Sequence, residues 1–204
     1  MPNWCFADLM IKTKSTKDAE TLEKEFEKAF SSNPLNADFG NVWLGNLLLQ
    51  IGMPEEEVIR GPVGCRGSAL FWEREEDAIH FQMESAWSPH VECVKLFVDH
   101  YVEDASITYE AEEPGNALYW TNDPDVAGTV AVDFEEIGIP DDMADLLWSC
   151  QGKKEKEVIK TLSEYLGHMG KLNKLKREIN KKGHEFNENF FVAINVYQNV
   201  PIGC

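Results

Sequence analysis

Residues 107–123, ITYEAEEPGNALYWTND, bring together residue types that could do chemistry. The stretch combines four carboxylates, Glu110, Glu112, Glu113 and Asp123, with three large aromatic side chains, Tyr109, Tyr119 and Trp120. Two carboxylates act as acid and base in glycoside hydrolysis when their surroundings push their pKa values apart. That chemistry requires a concave and partly apolar pocket around the pair, which no sequence pattern here indicates.

The same stretch has the pattern of a strand, a turn and a second strand. Its first part, residues 107–112, alternates between apolar and polar residues, which is typical of a strand covered on one side. Pro114 and Gly115 favour a tight turn, which would leave Glu112 and Glu113 in solvent. We therefore predict a structural turn here rather than a catalytic pair of carboxylates.

Other kinds of catalytic and metal chemistry leave no recognisable motif in the sequence. His80 and Glu84 would lie about 13 Å apart along one predicted strand, too far to share a metal ion. No HExxH or EF-hand loop occurs, and no serine or cysteine has a nucleophile motif. Gly61, Gly64 and Gly67 lack the lysine of a phosphate-binding loop. We predict no metal, no cofactor and no catalytic residue.

Charge is distributed unevenly along the chain, whose formal net charge is −17. Residues 1–150 hold 30 of the 36 acidic residues but only 9 of the 19 lysines and arginines. Such an acidic body repels phosphate backbones, so we predict no direct nucleic-acid binding by it, and it favours a basic protein partner. Solubility alone also accounts for this charge. The basic tail KLNKLKREINKK lacks interleaved aromatic residues, so we interpret it as a solvated helical face.

Composition and cysteine usage indicate an ordinary globular protein. Hydrophobic residues make up 43% of the 204 residues, enough for a conventional core. The five cysteines are scattered and never form CxxC, so we predict reduced thiols in an intracellular protein. No apolar run approaches 18 residues, and the amino terminus lacks the pattern of an export signal. We therefore expect a cytoplasmic protein that does not span a membrane.

The periodicity of the first two thirds of the chain predicts alternating strands and helices. In order, we predict a strand at CFADLMIK, a helix at 17–30, a short buried helix at 42–51, strands at 67–72 and 78–87, a helix after Pro89, and strands at 107–112, 117–121 and 129–134. This order predicts an α+β fold of ferredoxin-like kind, with helices on one face of an antiparallel sheet. Residues 1–139 would form this core, with a helical insertion at about 40–59.

Residues 140–204 are predicted to be a helical extension of the same core that ends in a closing strand. Residues 153–182 are helical in composition, and Gly167 and Gly170 are predicted to divide them into two helices. Residues 190–197, FFVAINVY, have high β-propensity. We predict that this last strand completes the sheet of the core.

Two sequence blocks resemble one known family. The first five residues are MPNWC, and the centre of the chain has ESAWSP, a predicted helix and then ITYEAEEPGNALYWTND. Over about residues 1–135 these blocks resemble the YubB-type ferredoxin-like domain found in proteins of phages, plasmids and other mobile elements. The resemblance implies a fold but no reaction, because that family is known mainly as a fold. The positions that carry it are Pro2, Asn3, Trp4, Cys5, Trp87, Pro89, Tyr109, Glu110, Glu113, Gly115 and Tyr119.

Some of these shared positions have structural explanations. We interpret Trp87 and Tyr109 as core aromatic residues. Gly115 is interpreted as a turn residue that needs a positive φ. Glu113 has no such simple explanation, since a turn at the surface does not require it.

Three hypotheses of function follow from the sequence. The leading one is a non-enzymatic binding protein of a phage or mobile element that acts through an acidic surface, in its sharpest form as a DNA mimic that inhibits a host nucleic-acid-binding or defence protein. The second is an enzyme with a site near Glu84, Trp87, Glu110 and Glu113, and the third is a scaffold that forms homo-oligomers. The candidate binding residues are Glu84, Trp87, Tyr109, Glu110, Glu112, Glu113, Trp120 and Asp123.

Overall fold

The computed structural model describes residues 3–31 and 39–202, which form both strands and helices. The strands are β1 Trp4–Lys12, β2 Gly67–Glu75, β3 Ala78–Ala86, β4 Ser106–Glu113, β5 Leu118–Thr121, β6 Val130–Phe134, β7 Val192–Val196 and β8 Gln198–Asn199. The α-helices are α1 Thr16–Ala29, α2 Gly45–Gln50, α3 Glu55–Arg60, α4 Val91–Tyr101, α5 Asp141–Trp148, α6 Glu155–Leu166 and α7 Leu172–His184. The predicted α+β class is confirmed.

Strand β1 is the centre of the larger sheet. It pairs with β3 on one side and with β4 on the other, and β3 pairs with β2, all of them antiparallel. The complete strand order is β2-β3-β1-β4-β5-β8. The first four strands, with α1 between β1 and β2 and α4 between β3 and β4, form the βαββαβ arrangement of ferredoxin-like folds.

Alternate residues of β1 and β3 build the core on one side of this sheet. The burial of β1 alternates at every residue, and its inner set, Cys5, Ala7, Leu9 and Ile11, is fully or almost fully buried. Ile79, Phe81 and Met83 of β3 are buried on the same side. This period of two is what a strand covered on one face requires.

Helices α1 and α4 cover that inner face. Ser15 caps the amino-terminal end of α1, because its Oγ accepts the Asp18 N–H at 3.2 Å. The ring of Phe26 lies 5.0 Å from the ring of Phe81 and 4.9 Å from that of Phe97, measured between centroids. These aromatic contacts fix both helices against the strands.

Contacts divide the chain into two compact units. The first consists of Met1–Asn116, Trp120–Asn122 and Val200–Cys204, and the second of Ala117–Tyr119 and Asp123–Asn199. The second unit begins earlier in the chain than the boundary predicted after residue 139. Strand β6 therefore belongs to the same unit as the C-terminal helices.

The prediction that residues 190–197 complete the larger sheet is wrong. Strand β7 pairs antiparallel with β6 in a separate two-stranded sheet, with Val130 opposite Val196 and Phe134 opposite Val192. The physical reason is a second apolar core, in which side chains of β6 and β7 pack with those of α5, α6 and α7. A strand buried in that core pairs with the partner that shares it.

The predicted division of the C-terminal helical stretch is confirmed. Helix α6 ends at Gly167, whose φ of +75° is left-handed and closes the helix at low cost. Helix α5, by contrast, was not predicted. None of the helices in the two described ranges combines the length and apolarity needed to cross a bilayer.

Neighbouring residues of β1 provide a matched test of the sheet's two faces. Leu9→Ala is expected to lower the free energy of unfolding by about 2–5 kcal/mol, because it leaves a cavity at a fully buried position. Met10→Ala, at a side chain that is 43% exposed, should cost less than about 1 kcal/mol. Urea unfolding of both variants measures the difference. Equal losses would contradict the assignment of the two faces.

Candidate functional site: an open face of the sheet

The side of the sheet opposite α1 and α4 carries large apolar side chains at its centre. Trp4, Phe6 and Met10 of β1 are 43%, 49% and 43% exposed. Contiguous exposed apolar surface on a folded protein usually marks a site of interaction. We call this surface the open face; its members are Trp4, Phe6, Asp8 and Met10 of β1, Phe71 of β2, His80, Gln82 and Glu84 of β3, and Glu110 and Glu112 of β4.

Phe6 occupies the middle of the open face between two carboxylates. The strand register places Glu84 of β3 directly opposite it on one side and Glu112 of β4 on the other. Residues that face each other across antiparallel strands have Cβ atoms about 4.5–5.5 Å apart. An exposed aromatic ring is therefore flanked by two acidic side chains within reach of one ligand group.

Asp8, the next outward residue of β1 after Phe6, is the centre of a polar cluster in the next row of residues across the strands. Its Oδ2 accepts a hydrogen bond from Gln82 Nε2 at 3.0 Å, and its Oδ1 contacts His80 Nε2. Glu110 lies opposite Asp8 on β4. The ring of Phe71 meets the His80 ring edge-on, with centroids 6.0 Å apart. The row thus combines two carboxylates with an exposed aromatic ring.

This arrangement has the chemistry of a receptor for cations attached to apolar stems. A guanidinium or ammonium group is attracted to the face of an aromatic ring, and carboxylates accept its hydrogen bonds. The stem of a Lys or Arg side chain covers apolar surface such as that of Met10. An anion in the rows of Phe6 and Asp8 would be repelled by Glu84, Glu110 and Glu112.

One end of the sheet brings together distant sequence positions that carry the family resemblance. The Trp87 N–H donates to the Asn3 carbonyl at 2.9 Å, just beyond the paired residues Trp4 and Ala86. Trp87 is 52% exposed, so its interpretation as a core aromatic is wrong. Its φ of +73° is unusual for a bulky residue, and such backbone conformations cost about 1–3 kcal/mol. Pro2, another of these positions, lies outside the described residues.

Glu113 is buried at the same end of the sheet, although the turn was predicted to leave it in solvent. Its side chain is completely inaccessible, because residues 114–116 form a short 3₁₀ helix that folds over it. Its Oε2 accepts the Asn116 N–H at 2.8 Å, whereas Oε1 has no hydrogen-bond partner. The carboxylate therefore organises this turn from inside.

The prediction that Gly115 needs a positive φ is wrong, because its φ is not positive; the turn leaves little space for a side chain at this position. A Cβ atom on this residue would lie 2.8 Å from Glu113 Oε1 and 2.9 Å from Asn3 Nδ2. The positive φ in this turn belongs to Ala117, at +55°. A larger residue here would require the ends of the Glu113 and Asn3 side chains to move.

Burial keeps the thiol of Cys5 protonated beside this carboxylate. Burial raises the pKa of Cys5 to about 12, and the negative charges of Glu113 and Glu112 add to the effect. A thiol is nucleophilic as its thiolate, so Cys5 is unsuited to nucleophilic catalysis at neutral pH. Cys65, Cys93 and Cys150 are likewise buried and unpaired, and Cys204 lies outside the described residues.

Three other candidate binding residues lie away from the open face. Tyr109 is on the helix-covered side, where its hydroxyl donates to the Val200 carbonyl at 2.8 Å and burial raises its pKa to about 12. Trp120 packs against the same core. Asp123 shapes a turn, in which its Oδ1 accepts the Asp125 N–H at 2.8 Å. Of the eight candidates, Glu84, Glu110 and Glu112 share the open face.

The four residues of the enzyme hypothesis lie on different surfaces. Glu84 and Glu110 are on the open face with β1 between their strands, and Glu113 is buried. Trp87 lies past the end of β3. Among residues 3–31 and 39–202, no three histidine, cysteine, aspartate or glutamate side chains are grouped so that they could hold a metal ion.

Sequence reasoning missed the contribution of β1 to the site. WCFADLMIK has apolar residues on both of its alternating faces, since Trp4, Phe6 and Met10 lie between the core residues. A strand with one face in water is expected to be polar on that face. Apolar residues on both alternating faces of β1 are therefore the sequence signal by which this surface could have been found.

The turn around Glu113 can be tested with two adjacent substitutions. Gly115→Ala is expected to lower the free energy of unfolding by about 1–3 kcal/mol, because the added methyl group collides with Glu113 and Asn3. Asn116→Ala keeps the backbone N–H that binds Glu113 and should change stability by about 0.5 kcal/mol or less. Thermal unfolding by circular dichroism compares them. An unchanged midpoint in Gly115→Ala would refute the close approach.

Comparisons with known proteins leave this site to be interpreted from its geometry. No protein-family model, curated protein or solved structure matches the chain. Membership of the YubB-type family therefore stays a prediction from the two sequence blocks.

Proposed function

We propose that this chain is a non-enzymatic binding protein whose open face takes a basic segment of a protein partner. The observation that carries the proposal is the exposed ring of Phe6 between Glu84 and Glu112. A cation above an aromatic ring gains about 0.5–2 kcal/mol, depending on its exposure. Two carboxylates beside the ring add charge-assisted hydrogen bonds that fix the position of the cation.

Arginine suits this face better than lysine. Its planar guanidinium stacks on an aromatic ring while it donates several hydrogen bonds to carboxylates in the same plane. The outward residues of β1 repeat about every 6.6–6.8 Å, which is also the spacing of side chains on one side of an extended peptide. An extended, arginine-rich segment laid along β1 would therefore meet Phe6 and Asp8 in successive rows.

The charge of the whole chain supports association with such a partner. A net charge of −17 attracts a basic protein over distances longer than direct contact and raises the rate of encounter. Basic, arginine-rich segments are common in proteins that bind nucleic acids. Inhibition of such a protein by occupying its DNA-binding surface is the sharpest form of the proposal. A mobile-element origin and a cytoplasmic location belong to the same proposal and rest on the sequence alone.

The open face can be tested with a fluorescein-labelled, arginine-rich peptide of about ten residues. Phe6→Ala is expected to weaken binding about three- to thirtyfold, the range that corresponds to the loss of a cation–aromatic contact. The pair Glu84→Gln and Glu112→Gln should weaken it about tenfold and reduce its dependence on salt. Fluorescence anisotropy at two salt concentrations measures both effects.

A charge-matched control separates a local site from general acidity. Glu56→Gln with Glu57→Gln removes the same two charges from the exposed surface of α3, away from the open face. This control should bind the peptide within about twofold of the unmodified protein. The proposal fails if the control weakens binding as much as the open-face pair, or if a peptide of aspartate and serine binds equally well.

A further inference from the structure

Helix α7 presents a basic stripe to a groove in the second unit. Two series four residues apart face the same side of the helix: Asn173, Arg177 and Lys181, and Lys176, Asn180 and His184. Together with Phe191 they line an open groove of about 700 Å³. From its first to its last residue the stripe extends about 16 Å along the helix axis.

The cations of this groove are not neutralised by carboxylates in its lining. Helix α7 carries five lysines and arginines and a single acid, Glu178. Glu178 forms an ion pair with Lys174, and its Oε2 lies 2.8 Å from His168 Nε2; neither residue lines the groove. The described lining contains no aspartate or glutamate. The groove is therefore positively charged on a chain that is otherwise strongly acidic.

Lys176 lines the groove and is held by two hydrogen bonds. Its Nζ donates to the Ile194 carbonyl and to Asn195 Oδ1, both at 3.3 Å. Burial lowers the pKa of this ammonium group. An anion bound in the groove would compensate the lost hydration and stabilise the charged form.

Phe191 stands beside these cations as an exposed ring on a fixed backbone. Its side chain is 66% exposed, but the residues on either side of it are buried. Phe190 packs so closely on Gly183 that a Cβ there would lie 1.9 Å from its ring. Val192 is held at both backbone groups by Asn180, whose Oδ1 accepts its N–H at 2.9 Å and whose Nδ2 donates to its carbonyl at 3.0 Å.

We propose that this groove binds single-stranded nucleic acid. Arg177, Lys181 and Lys176 would contact successive phosphates, and an unpaired base would stack on Phe191. Basic grooves combined with aromatic platforms are the general means by which proteins hold single strands, whereas a base inside a duplex does not offer its face. The sequence of α7 contains no aromatic residue, and for that reason we predicted a solvated helical face. Phe191, which lies outside α7, supplies an aromatic ring to the groove.

This inference is independent of the open face, since the groove belongs to other residues in the second unit. The net charge of −17 does not prevent nucleic acid from binding in the groove. At physiological salt, exposed charges more than about 8 Å from a bound phosphate are largely screened. The local cations then decide what binds, and the acidic surface elsewhere opposes only long-range encounter.

Fluorescence anisotropy with labelled twelve-nucleotide oligothymidine and oligouridine tests the proposal on the full chain. Phe191→Ala is expected to weaken binding at least fivefold, because stacking on one aromatic residue contributes about 1–3 kcal/mol per base. Arg177→Gln with Lys181→Gln should weaken it about tenfold. The same pair should reduce the slope of log affinity against log salt by about 0.7 for each cation removed.

Matched controls come from the same part of the chain. Phe186→Ala removes an exposed ring, 53% accessible, that does not line the groove. Lys174→Gln removes a cation of α7 that is paired with Glu178. Both controls should bind within about twofold of the unmodified protein, as a surface change remote from the ligand would. Circular dichroism melting checks that every variant is folded.

Several results would overturn the proposal. It fails if neither oligonucleotide binds at 50 mM salt, about the lower end of the range in which phosphate contacts are strong. It fails if the matching duplex binds as tightly as the single strand. It also fails if inorganic polyphosphate displaces the oligonucleotide as effectively as unlabelled oligothymidine and Phe191→Ala has no effect, since the groove would then be a general polyanion site.

Discussion

The packing of β1 inside the sheet is the constraint on which the rest of the first unit depends. The strand is paired with β3 along its whole length and with β4 from Phe6 to Lys12, so its backbone hydrogen bonds are fixed on both edges. Because side chains alternate between faces, burying Leu9 and Ile11 forces Phe6, Asp8 and Met10 to the other side. The hydrophobic effect that stabilises the core thus also determines which side chains form the open face. The register of β1 therefore determines both which residues form the core and which form the open face.

The end of the sheet near Glu113 depends on the same register. The inward position of Glu113 on β4 places a carboxylate where apolar residues would normally pack, and one of its oxygens has no partner. Leaving a buried polar atom unpaired costs about 1–3 kcal/mol, which a fold tolerates when the group has a further role. Here the other oxygen holds the Asn116 N–H, and Gly115 lets Asn3 approach. The family resemblance on these positions thus coincides with one packed corner of the molecule.

The two candidate binding surfaces differ in the sign of their charged residues. The open face combines exposed rings with Glu84, Glu110 and Glu112, whereas the groove on α7 combines Phe191 with lysine and arginine. Each combines an aromatic ring with one sign of charge, and the ligand proposed for each carries the opposite sign. Together the two proposals account for the acidic body and the basic tail without assigning the whole charge to solubility.

The sequence by itself determined the α+β class, the strand–turn–strand element at 106–121 and the division of the C-terminal helices, because these follow from periodicity and from Pro and Gly over short distances. Tertiary structure decided the rest. It paired β7 with β6, buried Glu113, exposed Trp87 and brought Phe191 beside α7. Each of these depends on contacts between residues distant in the chain, and those contacts are set by which apolar surfaces find a common core.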